Sequence, residues 1–224
     1  MLTLALDTAL DRAAVAVSDG AGRQHALVER MDRGHAEHLL PMIDRLLAEA
    51  GVAIADVGRI AVDVGPGSFT GIRIAVATAR GLGLALGVPV IGVDSLTLLA
   101  LSLDEPADGP VLAAIDARRG EIYAALFDRD GAVLLPPFAA DAETVWRTVG
   151  PDVAVMVGSG TAILAHHAAT TGRRLPRIDA ADGPDPLRLA RRASALSPEA
   201  APPKPVYIRA ADAKPQLPVP GLLQ

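Results

Sequence analysis

Gly65-Pro66-Gly67-Ser68-Phe69-Thr70-Gly71 lies between a strand-like run, Arg59-Ile60-Ala61-Val62-Asp63-Val64, and an apolar helical pattern that begins near Ile72 and ends near Gly87. Glycine serves where the backbone needs positive φ or where another group must come close. A strand feeding such a loop and then a helix leaves N–H groups at the helix start pointing outward, a ready anion site. The stretch therefore sets an α/β frame and offers three uses: a phosphate cradle, a shaped turn, or a contact with another protein. No Gly-Lys-Ser/Thr follows at P-loop spacing. The third glycine comes one position late for the dinucleotide fingerprint. The nucleophile elbow wants glycine two before the serine, and Pro66 stands there. Residues alone favour a tight turn in which Gly65, Gly67, Ser68, Thr70 and Gly71 shape the loop and set the direction of the helix.

Upstream, Leu2 to Asp7, Ala13 to Ser18 and Gln24 to Arg30 read as three antiparallel strands, with a hairpin signal at Asp19-Gly20-Ala21-Gly22. Leu39, Ile43, Leu46, Leu47 and Ala50 make a helical stripe that stops at Gly51. Pro41 belongs in a first turn, so the regular helix is expected to start near His38. Leu40, Met42 and Ala36 fall off the main stripe, so this helix needs covering on a second side. The helix from Ile72 to Leu86 carries Ala75, Ala77, Ala79, Gly81, Gly83 and Ala85, small residues that let a second backbone come close. After a polar break at Leu103 to Pro110 the order repeats: strands at Val111 to Asp116, Glu121 to Phe127 and Ala132 to Leu135, a helix at Asp141 to Val149, a strand at Val153 to Val157, and further helices from Ser159 and Pro186. This predicts a duplicated unit, with lobes at residues 1–104 and 110–197. A proline-rich tail over residues 198–224 is expected to run extended, its last ten residues loose.

Half of the 224 residues are hydrophobic and 21% are charged, ample for a buried core. Aromatics are 3%, so that core must rest on Ala, Val, Leu and Ile. A net charge of −5 argues against autonomous nucleic-acid binding, which needs clustered Lys and Arg. The absence of cysteine excludes disulfides, thiol nucleophiles and Cys-based metal sites. The start, Met1-Leu2-Thr3-Leu4-Ala5-Leu6-Asp7, lacks the basic region of a signal peptide. The apolar stretch from Ile72 to Val93 is broken by Arg73, Arg80, four glycines and Pro89, so no membrane span is expected and a cytoplasmic location is.

Asp7 and Asp116 end the first strand of each half. An acid there, with small hydroxyl residues after it, suits the nucleotide cleft of actin-like ATPases, but Ala9 and Ala117-Arg118 stand where that plan has glycine. Satisfying nearby backbone N–H groups is an equal alternative for both acids. His35 and His38 are three apart at a helix start with no third ligand at metal-motif spacing, so exposed or capping roles are favoured. No catalytic, cofactor-binding or metal-binding residue is assigned. For Ser68 and Thr70, turn hydrogen bonding is the default.

The loop through Ile72-Arg73 resembles the signature of the TsaB (YeaZ) family. So do Leu4-Ala5-Leu6-Asp7-Thr8, His35 to Leu46, Asp94-Ser95-Leu96, Asp116 to Tyr123, and Pro205-Val206-Tyr207-Ile208-Arg209. One departure is Ala75, where the family usually has glycine. The resemblance implies an α/β, actin-like (ASKHA) fold of two ribonuclease-H-like lobes, with mixed sheets flanked by helices. It implies a non-catalytic role in forming N6-threonylcarbamoyladenosine beside the anticodon of tRNAs that read codons starting with A. The implied partners are a catalytic TsaD-like paralogue, a TsaE-like ATPase and, for the chain alone, a second copy, with tRNA met only through the complex. The paralogue's metal-binding histidines are four apart, so that site does not carry over to His35 and His38. The partner interface is expected at Leu39, Met42, Ile43, Leu46, Arg73, Ile74, Ala77, Thr78 and Gly81. A nucleotide-dependent enzyme of the actin-like plan and a metallopeptidase remain the alternatives.

Overall fold

A computed structural model describes residues 1–181 and 183–208. β1 (Leu2–Asp7) is buried along its whole length and forms the centre of a first sheet. It pairs antiparallel with β2 (Arg12–Ser18) and parallel with β4 (Val57–Asp63). β3 (Gln24–Arg30) and β5 (Val90–Val93) are the outer strands, giving the order β3-β2-β1-β4-β5. α1 (His35–Ala50) connects β3 to β4, α2 (Phe69–Leu86) connects β4 to β5, and α3 (Ser95–Leu101) leads out of the sheet. The second half repeats this with β6 (Val111–Arg118), β7 (Glu121–Phe127), β8 (Val133–Ala140), α4 (Ala142–Val149), β9 (Val155–Val157), α5 (Thr161–Thr171), β10 (Arg177–Ile178) and α6 (Pro186–Ser194). Its sheet has the order β8-β7-β6-β9-β10, the same third-second-first-fourth-fifth arrangement. A ribonuclease-H-like sheet present twice is the actin-like fold that the sequence led us to expect.

Alternation along the central strands divides the first lobe into two unlike faces. Leu4, Leu6, Val15, Val17, Ile60 and Val62 face α1 and α2 and form one core. Ala5, Ala16 and Ala61 make a shallow face on the other side. Small side chains there let α6 settle on the sheet through Leu189, Ala190 and Ala193. In the second lobe Leu112, Ile122 and Met156 meet Trp146 and Leu164 from α4 and α5, while Ala113, Ala125 and Phe127 meet α3. α3 faces both ways: Leu98 joins the first lobe's shallow core, and Leu96 and Leu99 join the second's. α3 and α6 thus knit the lobes together.

Several boundaries differ from the sequence reading. α6 falls inside residues 110–197 yet packs on the first sheet, and Arg59 Nη1 donates to the Ala193 carbonyl at 2.6 Å. The near end of the tail also returns to the first lobe: Gly92 N–H donates to Ala201 O at 2.8 Å, and Val206 N–H donates to Val64 O at 2.7 Å. Arg209 and the loose end expected of the tail lie outside the described residues. α1 starts at His35 rather than near His38, with Pro41 inside it. Pro41 and Glu37 are both exposed, so the carbonyl that loses its N–H partner meets water. β8 runs through Pro136-Pro137, which periodicity alone would not allow. It is an edge strand, and its pairing with β7 slips between Ala124 and Leu126, where the prolines are accommodated.

Candidate functional site

The loop from Gly65 to Gly71 packs backbone-to-backbone on the segment that follows β1. A Cβ on Gly67 would collide with the Ala9 carbonyl, and one on Gly71 with the Thr8 carbonyl. Gly65 takes φ 91°. Ser68 N–H donates to Ala9 O at 2.7 Å, and Thr8 Oγ1 donates to Gly71 O at 2.7 Å. Ser68 caps α2: its Oγ accepts from Gly71 N–H at 3.2 Å, and its carbonyl accepts from Ile72 N–H at 2.9 Å. Thr70 lies exposed on the first turn. Two of the donors at this helix start, Ser68 N–H and Gly71 N–H, are committed to Ala9 O and Ser68 Oγ, and the glycines serve the close approach of two loops.

The two acids that end the first strands have unlike surroundings. Asp116 is half-buried in an interlobe cleft of about 930 Å3 and accepts from Arg118 N–H at 2.7 Å. Arg118 and Arg119 hold positive φ beside it. Asp7 is sealed off, fully buried, with Oδ1 accepting from Ala9 N–H at 2.8 Å and Oδ2 lying 3.8 Å from Arg12 Nη2. Beside it, at the end of β4, stands Asp63, also fully buried. Asp63 Oδ1 accepts from Gly65 N–H at 2.8 Å and from Ser95 Oγ at 2.7 Å. Burial raises the Asp7 carboxyl above the usual carboxylate range against the pull of Arg12. Burial and then the charge of Asp7 raise Asp63 well above it. His35, expected to be exposed or capping, is instead buried at the cleft floor, while His38 is exposed. Asp63 and Arg12 were not singled out from the sequence, and Ser95 entered only within the Asp94-Ser95-Leu96 stretch. The available signal was a second acid ending an apolar strand.

At the cleft mouth the Arg73 guanidinium lies 3.6 Å above the Phe69 ring centroid, and Arg73 Nε donates to Tyr207 Oη at 3.0 Å. The two rings are 5.3 Å apart. This clamp ties the returning tail to the start of α2.

The expected partner residues divide into two groups. Leu39, Met42, Ile43 and Leu46 are core residues of the first lobe, so they present nothing to a partner. Periodicity found the apolar stripe of α1; placing Leu39, Met42, Ile43 and Leu46 at a partner interface, which came with the family resemblance, is corrected here, because a buried stripe and a docking stripe share one pattern. Arg73, Ala77 and Gly81 are exposed, and Ile74 and Thr78 are half-buried. On α1 the exposed apolar residues are Ala36, Leu40 and Pro41. Arg45 and Glu49 tie one flank of α1 to Glu29 and His25 on edge strand β3. Helical spacing then turns Ala36 and Leu40, on the opposite flank, toward α2. Arg73 and Phe69 similarly fix one flank of α2 against the tail, which leaves Ile74, Thr78 and Ala85 toward α1. The two helices share an uncharged strip of Ala36, Leu40, Ile74, Ala77, Thr78 and Gly81. By length and composition α2 is apolar enough to cross a bilayer. Its Ile72, Ala75, Val76 and Ala79 are packed in the core, and Arg73 and Arg80 stand on its outer side.

The family profile described as TsaD, tRNA N6-adenosine threonylcarbamoyltransferase, matches residues 28–162. The tRNA threonylcarbamoyladenosine biosynthesis protein TsaB of Escherichia coli (strain K12) is 41% identical over 132 residues, which is 58% of this chain and 56% of that protein. The chain therefore spans little more than half the length of that relative. An uncharacterized protein of Mycobacterium tuberculosis (strain ATCC 25618 / H37Rv) is 37% identical over 219 residues, 92% of this chain and 93% of its own length. The solved structure of YeaZ from Pseudomonas aeruginosa superimposes with a TM-score of 0.74 at 35% identity, covering 92% of this chain and 99% of that one.

Proposed function

The chain belongs to the TsaB (YeaZ) family, and on that premise we propose that it acts in the cytoplasm in tRNA threonylcarbamoyladenosine biosynthesis, as a non-catalytic subunit. Its uncharged strip on α1 and α2 docks a TsaD-like paralogue through the equivalent two helices, forming a four-helix contact. The pair then supports a TsaE-like ATPase, and the tRNA is held by the complex rather than by this acidic chain. A second copy takes the paralogue's place when the chain is alone.

The observation that carries this reading is the character of that strip. Leu40 is 52% exposed and Leu84, one turn beyond Gly81 on α2, is 87% exposed. Small Ala77 and Gly81 lie between them, so another helix can come within close backbone distance. The sealed Asp7 fits a subunit whose cleft does no chemistry.

The test is co-purification with the paralogue, joined to a threonylcarbamoylation assay on tRNA. Ala77→Glu and Leu40→Asp put charges on the strip without touching the core. Each is expected to abolish the complex and the tRNA product while leaving the melting temperature of the isolated chain unchanged. Retention of the complex by both variants would sink the interface assignment.

A further inference from the structure

β1 and β4 run parallel, and their register sets Leu6 beside Val62 and hence Asp7 beside Asp63. Each carboxylate uses one oxygen to hold the loop that follows its own strand, Asp7 through Ala9 N–H and Asp63 through Gly65 N–H and Ser95 Oγ. The other oxygens, Asp7 Oδ2 and Asp63 Oδ2, are both buried and accept no hydrogen bond from any donor among the described residues. The two carboxyl groups are thus side by side on neighbouring parallel strands, both fully buried, each with one oxygen left over. Two adjacent, fully buried carboxylates cannot both stay ionised, because removing both charges from solvent costs far more than one nearby cation returns.

We infer that Asp7 and Asp63 share a single proton, carried on Asp63 Oδ2 and donated to Asp7 Oδ2, and that this proton locks together the two loops at the floor of the cleft. Arg12, 3.8 Å from Asp7 Oδ2, faces the remaining negative charge, and its guanidinium also donates to the Pro184 carbonyl ahead of α6. The other groups that face the pair are the imidazole of His35 on α1, which acts on Asp7, and the carboxylate of Asp94 ahead of α3, which acts on Asp63 and opposes its ionisation. The direction expected of both acids, raised by burial and for Asp63 raised further by Asp7, agrees with this arrangement.

A lock of this kind has a defined pH dependence. Asp63 in the unfolded chain loses its proton near the ordinary carboxylate range, while the folded chain keeps it. The unfolded state therefore binds fewer protons above that range, and the pair's contribution is full at acid pH and declines as pH rises toward the folded-state value. Above that value the proton leaves, two neighbouring carboxylates repel, and the anchors to Ala9 and Gly65 are strained.

Asp63→Asn tests this directly. Its amide keeps an oxygen for Gly65 and Ser95 and supplies a permanent N–H to Asp7 Oδ2. Melting temperatures of both chains are measured from about pH 5 to about pH 9. The variant is expected to melt within a few degrees of the wild type at the acid end and to gain on it steadily as pH rises. Parallel profiles would overturn the proposal, as would stabilisation of the wild type by millimolar magnesium to the level of the variant, since a cation would then be the bridge. A second readout needs no variant: the infrared spectrum of folded wild type at neutral pH is expected to contain a protonated carboxyl band that vanishes on unfolding. Its absence would refute the shared proton.

Discussion

Gly71→Ala sets two physical arguments against each other with opposite signs. Gly71 is inside α2, and helix propensity alone predicts that alanine stabilises by about 1 kcal/mol. The structure predicts the reverse. A Cβ here would collide with the Thr8 carbonyl, a backbone atom of a buried loop that has no flexible end to swing away. Forcing the loops apart costs about 1–3 kcal/mol as overpacking. It also endangers the 2.7 Å bond from Thr8 Oγ1 to Gly71 O and the 3.2 Å cap from Gly71 N–H to Ser68 Oγ. Those bonds are each worth about 1 kcal/mol. Set against the propensity gain, the net loss is about 2–4 kcal/mol, a fall in melting temperature on the order of 10 °C. Urea titration of purified wild type and variant, read by circular dichroism, measures it. A neutral or stabilised variant would refute the close-approach account of the loop.

Two further predictions follow from the core and from one buried acid. Leu46→Ala, at 0% exposure beneath α1, is expected to cost about 2–5 kcal/mol in urea unfolding, whereas a docking residue at that position would cost almost nothing in the isolated chain. Burial pushes the Asp179 carboxyl up, but N–H donors from Asp104, Ala181 and Glu105, with Arg177, bring it below its ordinary range. Its stabilising contribution is therefore present above the ordinary carboxylate range and is lost as pH falls through the lowered folded value. Asp179→Asn is expected to flatten acid unfolding below about pH 4, and an unchanged acid transition would refute that role.

Much of the fold was legible because both signals that define it are local. Alternation and apolar runs located the strands, and turn residues such as Asp19-Gly20 separated them. The doubled order of elements then implied the doubled sheet. Contacts between residues distant in sequence were not legible. Nothing in Leu189, Ala190 and Ala193 says which lobe they cover, since either sheet would accept a small apolar stripe. The same limit hid Asp63, whose meaning depends on Asp7 standing one strand away. It also inverted the reading of Leu39, Met42, Ile43 and Leu46, for which periodicity reports that a face is buried but not what buries it. At Gly65 to Gly71 the residues themselves carried the answer: three failed motif matches pointed to a turn, and the close contacts with Thr8 and Ala9 explain why that turn needs glycine.

The return of α6 to the first sheet also governs the order in which the molecule can be completed. Synthesis proceeds from the N-terminus, and domains usually fold as they emerge. Here the alanine face of Ala5, Ala16 and Ala61 has only Leu98 of α3 against it until Leu189 to Ala193 leave the ribosome, after the whole second sheet has been made. The first lobe is thus begun first and closed last. A chain stalled between the two lobes presents a largely uncovered apolar sheet face to whatever chaperone is near.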